Sequence, residues 1–333
     1  MRSKKSTEVN RPENSTPNSE HPTPNAVHTS VLLSEAVDVL APRPGGVYVD
    51  GTLGGGGHAA EILKRSAPDG IVIGLDQDAE ALARAGETLA PFGSRAMLRL
   101  KNFRDLPAVL DELGYAKVDG IMLDLGLSWF HLRNPARGFS FMLDGPLDMR
   151  MNTSALQTAA DLVNTLPFAE LARIFREYGE EDRAGAVARA IERARERGPI
   201  ISTTQLAGII ASVFPPYPPR RIHPATKTFQ ALRIAVNDEI NVLRDGLQHM
   251  VRVLKPGGRI AVISFHSLED RIVKQAFVAA AAACVCPPKL PVCACGRQPE
   301  LKVLTKKPIM AGPDEIDRNP AARSAKLRGA ERL

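Results

Sequence analysis

The chain has 333 residues, of which 44% are hydrophobic and 24% are charged, and this is the composition of an ordinary globular protein. The longest apolar run, near Ala279–Val285, is too short to span a membrane, and the N-terminus shows no apolar secretory segment. We therefore expect a soluble cytoplasmic protein with no membrane partner. A net charge of +6 leans only weakly toward a polyanionic partner.

The chain begins with a polar segment and continues with an alternating pattern. Residues 1–26 are rich in Pro, Asn, Ser and Thr and have almost nothing to bury, which predicts a disordered tail. Apolar positions at helical spacing then predict a helix over 31–40. Further strands are predicted at 47–50, 71–75, 96–100 and 118–125, with helices at 79–89 and 106–113. This alternation predicts a parallel sheet that is covered by helices on both faces.

The alternation stops at about residue 128. The block that follows has a polar loop and no convincing strand, and its helices are predicted near 159–162, 167–178, 182–196 and 204–213. The proline-rich stretch PPYPPR closes this block at 215–220. A long helix over 228–254 and a strand after the turn at 255–258 then restore the α/β order. We therefore predict a discontinuous α/β domain, 27–127 plus 228–333, with a helical insert at 128–227 for substrate recognition.

A run of four glycines follows the first predicted strand. The segment GVYVDGTLGGGGH at 46–58 joins an apolar strand, Asp50 at its end, Gly54–Gly57 and the start of a helical segment. Glycines remove every Cβ from the turn and permit positive φ, so that backbone N–H groups can line a ligand. Asp76 ends the next strand, where nucleotide-binding α/β folds hold a ribose diol. Together these features predict a cofactor that contains a nucleoside.

Polar residues follow every predicted strand. Ligands of open α/β sheets bind beyond the carboxyl ends of the strands, so these residues are expected on one rim. Each alone is more often a loop cap, but five together are harder to dismiss. They are Asp50, Asp76, the pair Asn102–Phe103, Asp124 and the segment 264–267. This pattern resembles S-adenosylmethionine-dependent methyltransferases, in which Asp76 would take the ribose hydroxyls, Phe103 would lie near the adenine and Asp124 near the transferring methyl.

Six longer segments of the chain resemble one protein family. They are HTSVLLSEAVDVL (28–40), DGTLGGGGH (50–58), RGFSFMLDGPLDMRM (137–151), HPATKTFQALRIAVN (223–237), SFHSLEDRIVK (264–274) and NPAARSAKLRGAER (319–332). The family is the bacterial methyltransferases that modify the N4 atom of a cytidine in the decoding region of 16S ribosomal RNA, conventionally numbered 1402. The resemblance covers roughly residues 28–332, and its blocks are too long to match by chance.

The resemblance implies a Rossmann-like, S-adenosylmethionine-dependent methyltransferase sheet with an inserted all-helical domain. It also implies S-adenosylmethionine as the cofactor and 16S rRNA in the small ribosomal subunit as the partner. The oligomeric state stays open. Carried over position by position, the family's cofactor contacts fall on Gly56, Gly57, His58, Asp76, Phe103 and Asp124.

The segment after Asp124 departs from the family's pattern. The family usually reads D-L-G-V-S-S-x-Q-L-D, whereas this chain reads DLGLSWFHLR. His131 therefore stands where a cofactor-binding glutamine is expected, Trp129 replaces a small serine and Arg133 replaces an acid. Asn152 also replaces the usual aspartate. An imidazole still donates or accepts one hydrogen bond, so His131 is carried over as a cofactor contact with a different reach and pH response.

Methyl transfer to a cytosine amine sets its own chemical demands. The N4 lone pair is delocalised into the ring, so the reaction needs in-line alignment and an acceptor that localises this lone pair, but no metal. We assign the acceptor, and hence the catalytic role, to Asp124. An amine in structured RNA must also be exposed, so we expect the base to be turned out into a pocket.

Several residues are candidates for contact with RNA. Phe139 and Phe141 would stack on the target base, with ordinary packing under the insert as an equal alternative. His266 is either a site residue or a structural one that bonds the insert. The candidate phosphate contacts are Arg137, Arg150, Arg220, Arg221 and Lys227.

All four cysteines of the chain lie in one short segment, as Cys284-x-Cys286 and Cys293-x-Cys295. A disulfide framework would be spread through the chain, so this arrangement does not indicate one. Four thiolates could bind zinc tetrahedrally, although C-x-C is tighter than the usual C-x-x-C. The equal alternative is a surface loop of reduced thiols. If zinc binds, its role should be structural, because four protein ligands leave no open position.

Two other functions stay open. A nicotinamide-dependent oxidoreductase would use the same glycine loop, although its usual G-x-G-x-x-G spacing fits this loop less well. A catalytically silent ribosome-assembly factor would bind RNA without turnover. The departures at Trp129, His131 and Arg133 keep that second alternative open.

Overall fold

The computed structural model describes residues 30–215, 223–284, 286 and 295–333. The predicted tail at 1–26, most of the proline-rich stretch at 215–220, and Arg220, Arg221 and Cys293 lie outside the described residues. Within the described ranges, no helix is long and apolar enough to cross a membrane.

One mixed sheet organises the described part of the chain. Its strands are β1 Val47–Asp50, β2 Ile71–Asp76, β3 Ala96–Leu100, β4 Val118–Asp124, β5 Leu254–Ser264, β6 Leu301–Val303 and β7 Lys326–Arg332. They lie in the order β3-β2-β1-β4-β5-β7-β6. Strands β1 to β5 pair in parallel, as the alternation predicted, whereas β7 runs antiparallel to both β5 and β6. The strand order reverses between β1 and β4, and α/β sheets bind ligands at such a point.

Helices cover the sheet and form the insert. They are α1 Leu33–Leu40, α2 Gly57–Arg65, α3 Ala79–Leu89, α4 Leu106–Leu113, α5 Trp129–Arg133, α6 Ala159–Thr165, α7 Phe168–Glu177, α8 Ala184–Arg195, α9 Thr203–Ala211, α10 Ala225–Val236, α11 Glu239–Val253, α12 Ser267–Ala281 and α13 Pro313–Arg318. The predicted helices at 79–89 and 106–113 are confirmed as α3 and α4, and those of the insert are confirmed within a few residues.

Alternation along the strands divides the sheet core into two layers. Val49 of β1 and Ile121 of β4 pack with the layer that contains α4, α11 and α12. Tyr48 and Met122, one residue away on the same strands, pack with the layer that contains α1 and α2. Successive side chains of a strand point to opposite faces, so both faces of these strands are buried. The doubly covered α/β sheet is therefore confirmed.

The insert has a hydrophobic core of its own. Phe175 of α7, Ile191 of α8 and Leu206 of α9 are fully buried in one cluster. Phe229 and Leu232 of α10 belong to the same cluster. The described part of 128–227 contains no strand. We therefore propose that α10 is part of the insert, which moves the second boundary from 227 to about residue 237.

The prediction of one long helix over 228–254 is wrong, because the chain breaks between α10 and α11. Asp238 adopts the left-handed conformation, with φ 51 and ψ 32. The Asn237 side chain accepts a hydrogen bond from Met151 N and donates one to Met149 O, both at 2.8 Å. Asn and Asp tolerate this conformation better than most residues. The hydrogen bonds of Asn237 at this break therefore connect the segment 149–151 to the end of the insert.

Candidate active site

A cleft of about 1210 Å³ opens at the carboxyl ends of β1, β2 and β4, where the strand order reverses. The structure brings most of the predicted site residues to this one cleft, whose lining includes Gly57, His58, Asp76, Phe103, Asp124 and His131. Gly56 does not line it. A Cβ at Gly56 would lie 3.4 Å from Ala85 of α3, so this glycine permits close packing of α2 on α3.

The glycine loop is held by the strand ends beneath it. Gly54 has φ 52, a left-handed conformation that favours glycine, and its N–H donates to Asp76 Oδ2 at 2.8 Å. Leu53 N donates to Leu75 O at 2.9 Å. Helix α2 then begins at Gly57, with its N-terminal N–H groups at the cleft. Such N–H groups have no partner inside the helix and are suited to bind polar groups of a ligand.

Asp76 lies between the glycine loop and the start of α3. Its Oδ2 accepts the Gly54 N–H, and its Oδ1 accepts the Asp78 N–H at 2.9 Å. Burial raises the pKa of Asp76 above its ordinary value. A carboxylate oxygen has two lone pairs, so each oxygen can accept a further hydroxyl. This position suits the predicted role of Asp76 toward a ribose diol.

Phe103 begins a short 3₁₀ turn after β3, and two glycines make room for its ring. A Cβ at Gly246 of α11 would lie 2.7 Å from the Phe103 ring, and one at Gly51 would lie 3.0 Å from Phe103 Cβ. The first distance is shorter than real Cβ contacts, and the second is tighter than most of them. Phe103 is therefore fixed by close approach on both sides and forms an apolar wall of the cleft.

Asp124 ends β4 with one oxygen that lacks a partner. Its backbone N–H donates to Thr52 Oγ1 at 2.6 Å, and its Oδ2 lies 3.7 Å from His58 Nδ1. Its Oδ1 is buried and has no hydrogen-bond partner among the described residues. Burial raises the pKa of Asp124 well above its ordinary value, and the charges of Asp50 and Glu269 add to this. Such a carboxyl is suited to accept a proton or to face a cation.

Three acids lie at the floor of this part of the cleft, and we call Asp50, Asp76 and Asp124 the acid cluster. Asp76 and Asp124 line the cleft, whereas Asp50 is buried beneath it. Burial raises the pKa of Asp50 to about 7, with the charge of Asp76 also raising it. In the described structure, none of the three forms a salt bridge with lysine or arginine. His58 lies beside Asp124, and His131 acts electrostatically on Asp76. The cluster therefore has no lysine or arginine to compensate its charge.

A fourth acid, Asp78, was missed by the sequence analysis. Its Oδ2 accepts hydrogen bonds from His131 Nε2 at 2.5 Å and from Arg137 Nη1 at 2.9 Å. Burial would raise the pKa of Asp78, but the bonds from His131 and Arg137 outweigh it and hold this pKa well below its usual range. Its backbone N–H donates a hydrogen bond to Asp76 Oδ1. Asp78 thus links the insert to the predicted ribose-binding acid.

The prediction of a phosphate contact at Arg137 is wrong. This side chain is 7% exposed, and its second terminal nitrogen donates to Arg150 O at 3.0 Å and to Met151 O at 2.9 Å. Arg137 is therefore an internal tie. His131 lines the cleft as predicted, but its Nε2 is occupied by Asp78, and its Nδ1 is buried without a partner among the described residues.

Most of the other residues that were predicted to contact RNA form contacts within the protein. Phe139 is buried in the insert core, which confirms the packing interpretation. Phe141 stacks on His223, with ring centroids 4.7 Å apart. Arg150 forms a bidentate pair with Asp148. Lys227 donates to a backbone carbonyl of the insert at 2.7 Å but remains half exposed.

His266 has a structural role. It is the N-cap of α12, where its Nδ1 accepts the Glu269 N–H at 3.4 Å. Its Nε2 lies 3.0 Å from Glu269 Oε1, and Glu269 in turn accepts the Phe265 N–H. Ser267 and Arg271 of α12 both contact Glu180 of the insert. The interpretation of His266 as a residue that supports the junction with the insert is therefore favoured.

The departures from the family's pattern in α5 form aromatic and cationic pairs at the cleft. The Arg133 guanidinium lies 4.2 Å from the Trp129 ring centroid. Arg84 lies 4.3 Å from the ring centroid of Phe130, which meets Trp129 edge to face. The two departures at Trp129 and Arg133 are therefore linked, because the aromatic ring and the guanidinium contact each other. Both rings line the cleft and stay partly exposed.

Comparisons with known proteins identify the family of the chain. The model of the MraW methylase family matches residues 25–333. Proteins called Ribosomal RNA small subunit methyltransferase H are 57% identical in Syntrophotalea carbinolica and 55% identical in a Geobacter species, each over 92% of this chain and 98% of the relative. A solved rRNA methylase from Streptococcus thermophilus is 11% identical, with a TM-score of 0.40, over 90% of this chain and 93% of that one. The match to the family model over nearly the whole chain shows that this protein belongs to the MraW methylase family.

Proposed function

We propose that the protein transfers a methyl group from S-adenosylmethionine to the N4 atom of cytidine 1402 in bacterial 16S rRNA, in the small ribosomal subunit and in the cytoplasm. The observation that carries this proposal is the position of Asp124, a partly exposed carboxylate with one buried, unpartnered oxygen, in the same cleft as the glycine loop and Asp76. The relatives' name, Ribosomal RNA small subunit methyltransferase H, supports the choice of RNA.

The charge of the cleft fits S-adenosylmethionine better than a nicotinamide cofactor. When bound, S-adenosylmethionine supplies an electrophilic methyl group on a positively charged sulfur. The acid cluster lacks a lysine or arginine partner among the described residues, so a cation would compensate it. The pyrophosphate of a nicotinamide cofactor is an anion and would meet the same acids. The oxidoreductase alternative is therefore disfavoured by electrostatics.

Different residues of the cleft would bind different parts of the cofactor. The N-terminal N–H groups of α2, at Gly57 and His58, would hold its polar end. Asp76 would accept the two ribose hydroxyls, and Phe103 would cover the adenine. His131 would act from α5 through its ring face or Nδ1, since Nε2 is held by Asp78.

Asp124 would act on the target amine. As a carboxylate, it would accept a hydrogen bond from the N4 amino group and so localise the nitrogen lone pair. Alkylation leaves an extra proton on this nitrogen, and the raised pKa of Asp124 suits it to receive that proton. His58 Nδ1, 3.7 Å from Oδ2, would orient the carboxylate from the other side. The positive charge that develops on the nitrogen would thus be stabilised by a carboxylate that is already in position.

Trp129 and Phe130 are our candidates for holding a base that is turned out of the RNA. Both rings lie at the cleft, partly exposed, and aromatic faces stack on any base. The neighbouring Arg84 and Arg133 would meet the negative charge of the backbone. These residues replace Phe139, Phe141 and Arg137 in that role.

The test is methylation of small ribosomal subunits from a strain that lacks the gene. Purified protein and S-adenosylmethionine should add one methyl to cytidine 1402, and fragmentation in the mass spectrometer should place it on the base amine rather than on the ribose. A reaction without S-adenosylmethionine is the control. Subunits that bind the protein but stay unmodified would establish the silent assembly factor instead. A methyl on another nucleotide would contradict the assigned substrate.

A further inference from the structure

Cysteine side chains come together in the loop between α12 and β6, a segment that the proposed methyl transfer does not use. All four cysteines of the chain fall within residues 284–295. Three of them, Cys284, Cys286 and Cys295, lie in the described part, and their sulfur atoms are all within 4.8 Å of one another. Cys284 and Cys295 are exposed, so burial of apolar sulfur does not explain the cluster.

The spacing of the sulfur atoms is that of a metal site. Cys295 Sγ lies 3.8 Å from Cys284 Sγ. A disulfide bond is about 2.0 Å long, so these two sulfurs are not bonded to each other. In a tetrahedral zinc site with bonds of about 2.3 Å, neighbouring sulfurs are about 3.8 Å apart. The pair is therefore at the distance that a shared zinc ion imposes.

The backbone around the cluster supports the same interpretation. Cys286 N donates to Cys284 Sγ at 3.4 Å, and bonds of this kind stabilise the negative charge of a metal-bound thiolate. The exit of the loop is tied back to α12, because Arg297 donates to Ala279 O at 2.7 Å and Glu300 N donates to Ala280 O at 2.8 Å. These bonds hold the segment that follows Cys295 against α12, from which Cys284 and Cys286 continue.

We infer that Cys284, Cys286 and Cys295 bind a structural zinc ion. Each thiol loses its proton to solvent when its sulfur binds, so binding weakens as the pH falls. None of these three cysteines lines the cleft, so the ion would hold the link between α12 and β6 rather than act in methyl transfer.

Metal analysis of the untagged full chain tests this inference, since a histidine tag would bind zinc by itself. Protein purified without chelator should contain about one zinc per chain. Cys284→Ser should lose most of this zinc. Ala283→Ser introduces the same side chain one position earlier, in the same exposed loop, and should keep it.

Cobalt provides a second readout that does not depend on the amount of zinc taken up during expression. Cobalt added to metal-free protein should give the intense near-ultraviolet bands of thiolate ligands and the visible bands of tetrahedral coordination. Cys284→Ser should weaken both. Wild-type protein with neither bound zinc nor cobalt bands would overturn the inference, and so would equal zinc in the two serine variants. Both readouts are independent of methyl transfer.

Discussion

Asp76 is expected to carry much of the affinity for the cofactor. Asp76→Ala removes the acceptor for two ribose hydroxyls, whose charge-assisted hydrogen bonds together contribute about 1.5–3 kcal/mol. Binding of S-adenosylmethionine should therefore weaken by roughly tenfold to a hundredfold. Isothermal titration calorimetry measures this directly, with circular dichroism to verify the fold. Asp111→Asn, an exposed change on α4, is the control. Wild-type affinity in the alanine variant would remove Asp76 from the site.

Asp124 should affect the rate more than the affinity. Asp124→Asn keeps the volume and one acceptor oxygen but loses the charge and adds a competing donor. Removal of one preorganised electrostatic contact typically slows a reaction by about 10²–10³. Single-turnover methylation at saturating cofactor should show this loss, while calorimetry shows nearly normal binding. A near-wild-type rate would deny Asp124 a catalytic role, and a loss confined to affinity would make it a cofactor ligand only.

The sequence identified the acids of the site but not their partners. Asp50, Asp76 and Asp124 end strands, so the topology of a parallel sheet brings them together. Asp78 is the N-cap of α3, where its side chain accepts the Glu80 N–H. Its bonds to His131 and Arg137 join residues that are 53 and 59 positions away. Local pattern does not reveal such pairings, and Arg137 was misassigned for that reason.

Packing between elements should control the site from a distance. Gly246 lies inside α11, where an added Cβ would fall 2.7 Å from the Phe103 ring. Gly246→Ala should displace this ring and weaken cofactor binding, even though alanine favours helices by up to about 1 kcal/mol. The matched control is Gly208→Ala in α9, where an added Cβ meets nothing within 4 Å.

Thermal unfolding and calorimetry separate these effects. The Gly208 variant should keep its cofactor affinity and gain a little stability. The Gly246 variant should lose affinity and stability together. Equal behaviour of the two variants would show that Phe103 is not held against α11 in solution.

Helix boundaries at the insert show the limit of local pattern. Helices α3 and α4 were predicted at their observed bounds because they have clear apolar spacing between turn residues. The break at Asp238 was missed, because α10 and α11 both carry helical periodicity and no glycine or proline separates them. Only the bonds from Asn237 to the backbone of Met149 and Met151 explain why the chain turns there. Those bonds depend on tertiary structure.

The ionisation of the acid cluster predicts that the preference for S-adenosylmethionine depends on pH. At low pH the acid cluster is protonated, because burial raises all three pKa values and brings that of Asp50 to about 7. As the pH rises, the carboxylates ionise and favour a cation. S-adenosylmethionine carries a positive sulfur, whereas S-adenosylhomocysteine does not. The affinity for the first relative to the second should therefore rise with pH.

If the pKa of one carboxyl differs by one unit between the complexes with the two ligands, the ratio of their affinities changes by roughly tenfold. Calorimetry with both ligands at several values between about pH 5 and about pH 8 measures it. The comparison cancels titration of the amino acid and adenosine parts, which the two ligands share. A ratio that stays constant would contradict the proposed contact between sulfur and the acid cluster. Asp50→Asn should flatten the dependence.

The antiparallel strand β7 lies between β5 and β6, and this order has a consequence for biosynthesis. Residues 326–332 emerge from the ribosome after every other element described above. Until they emerge, β5 has an exposed edge and β6 has no strand to pair with. An exposed edge invites association with other chains. A premature stop before residue 326 would therefore do more than shorten the protein. It would expose one edge of β5 and leave β6 unpaired, and should make the nascent product prone to aggregation.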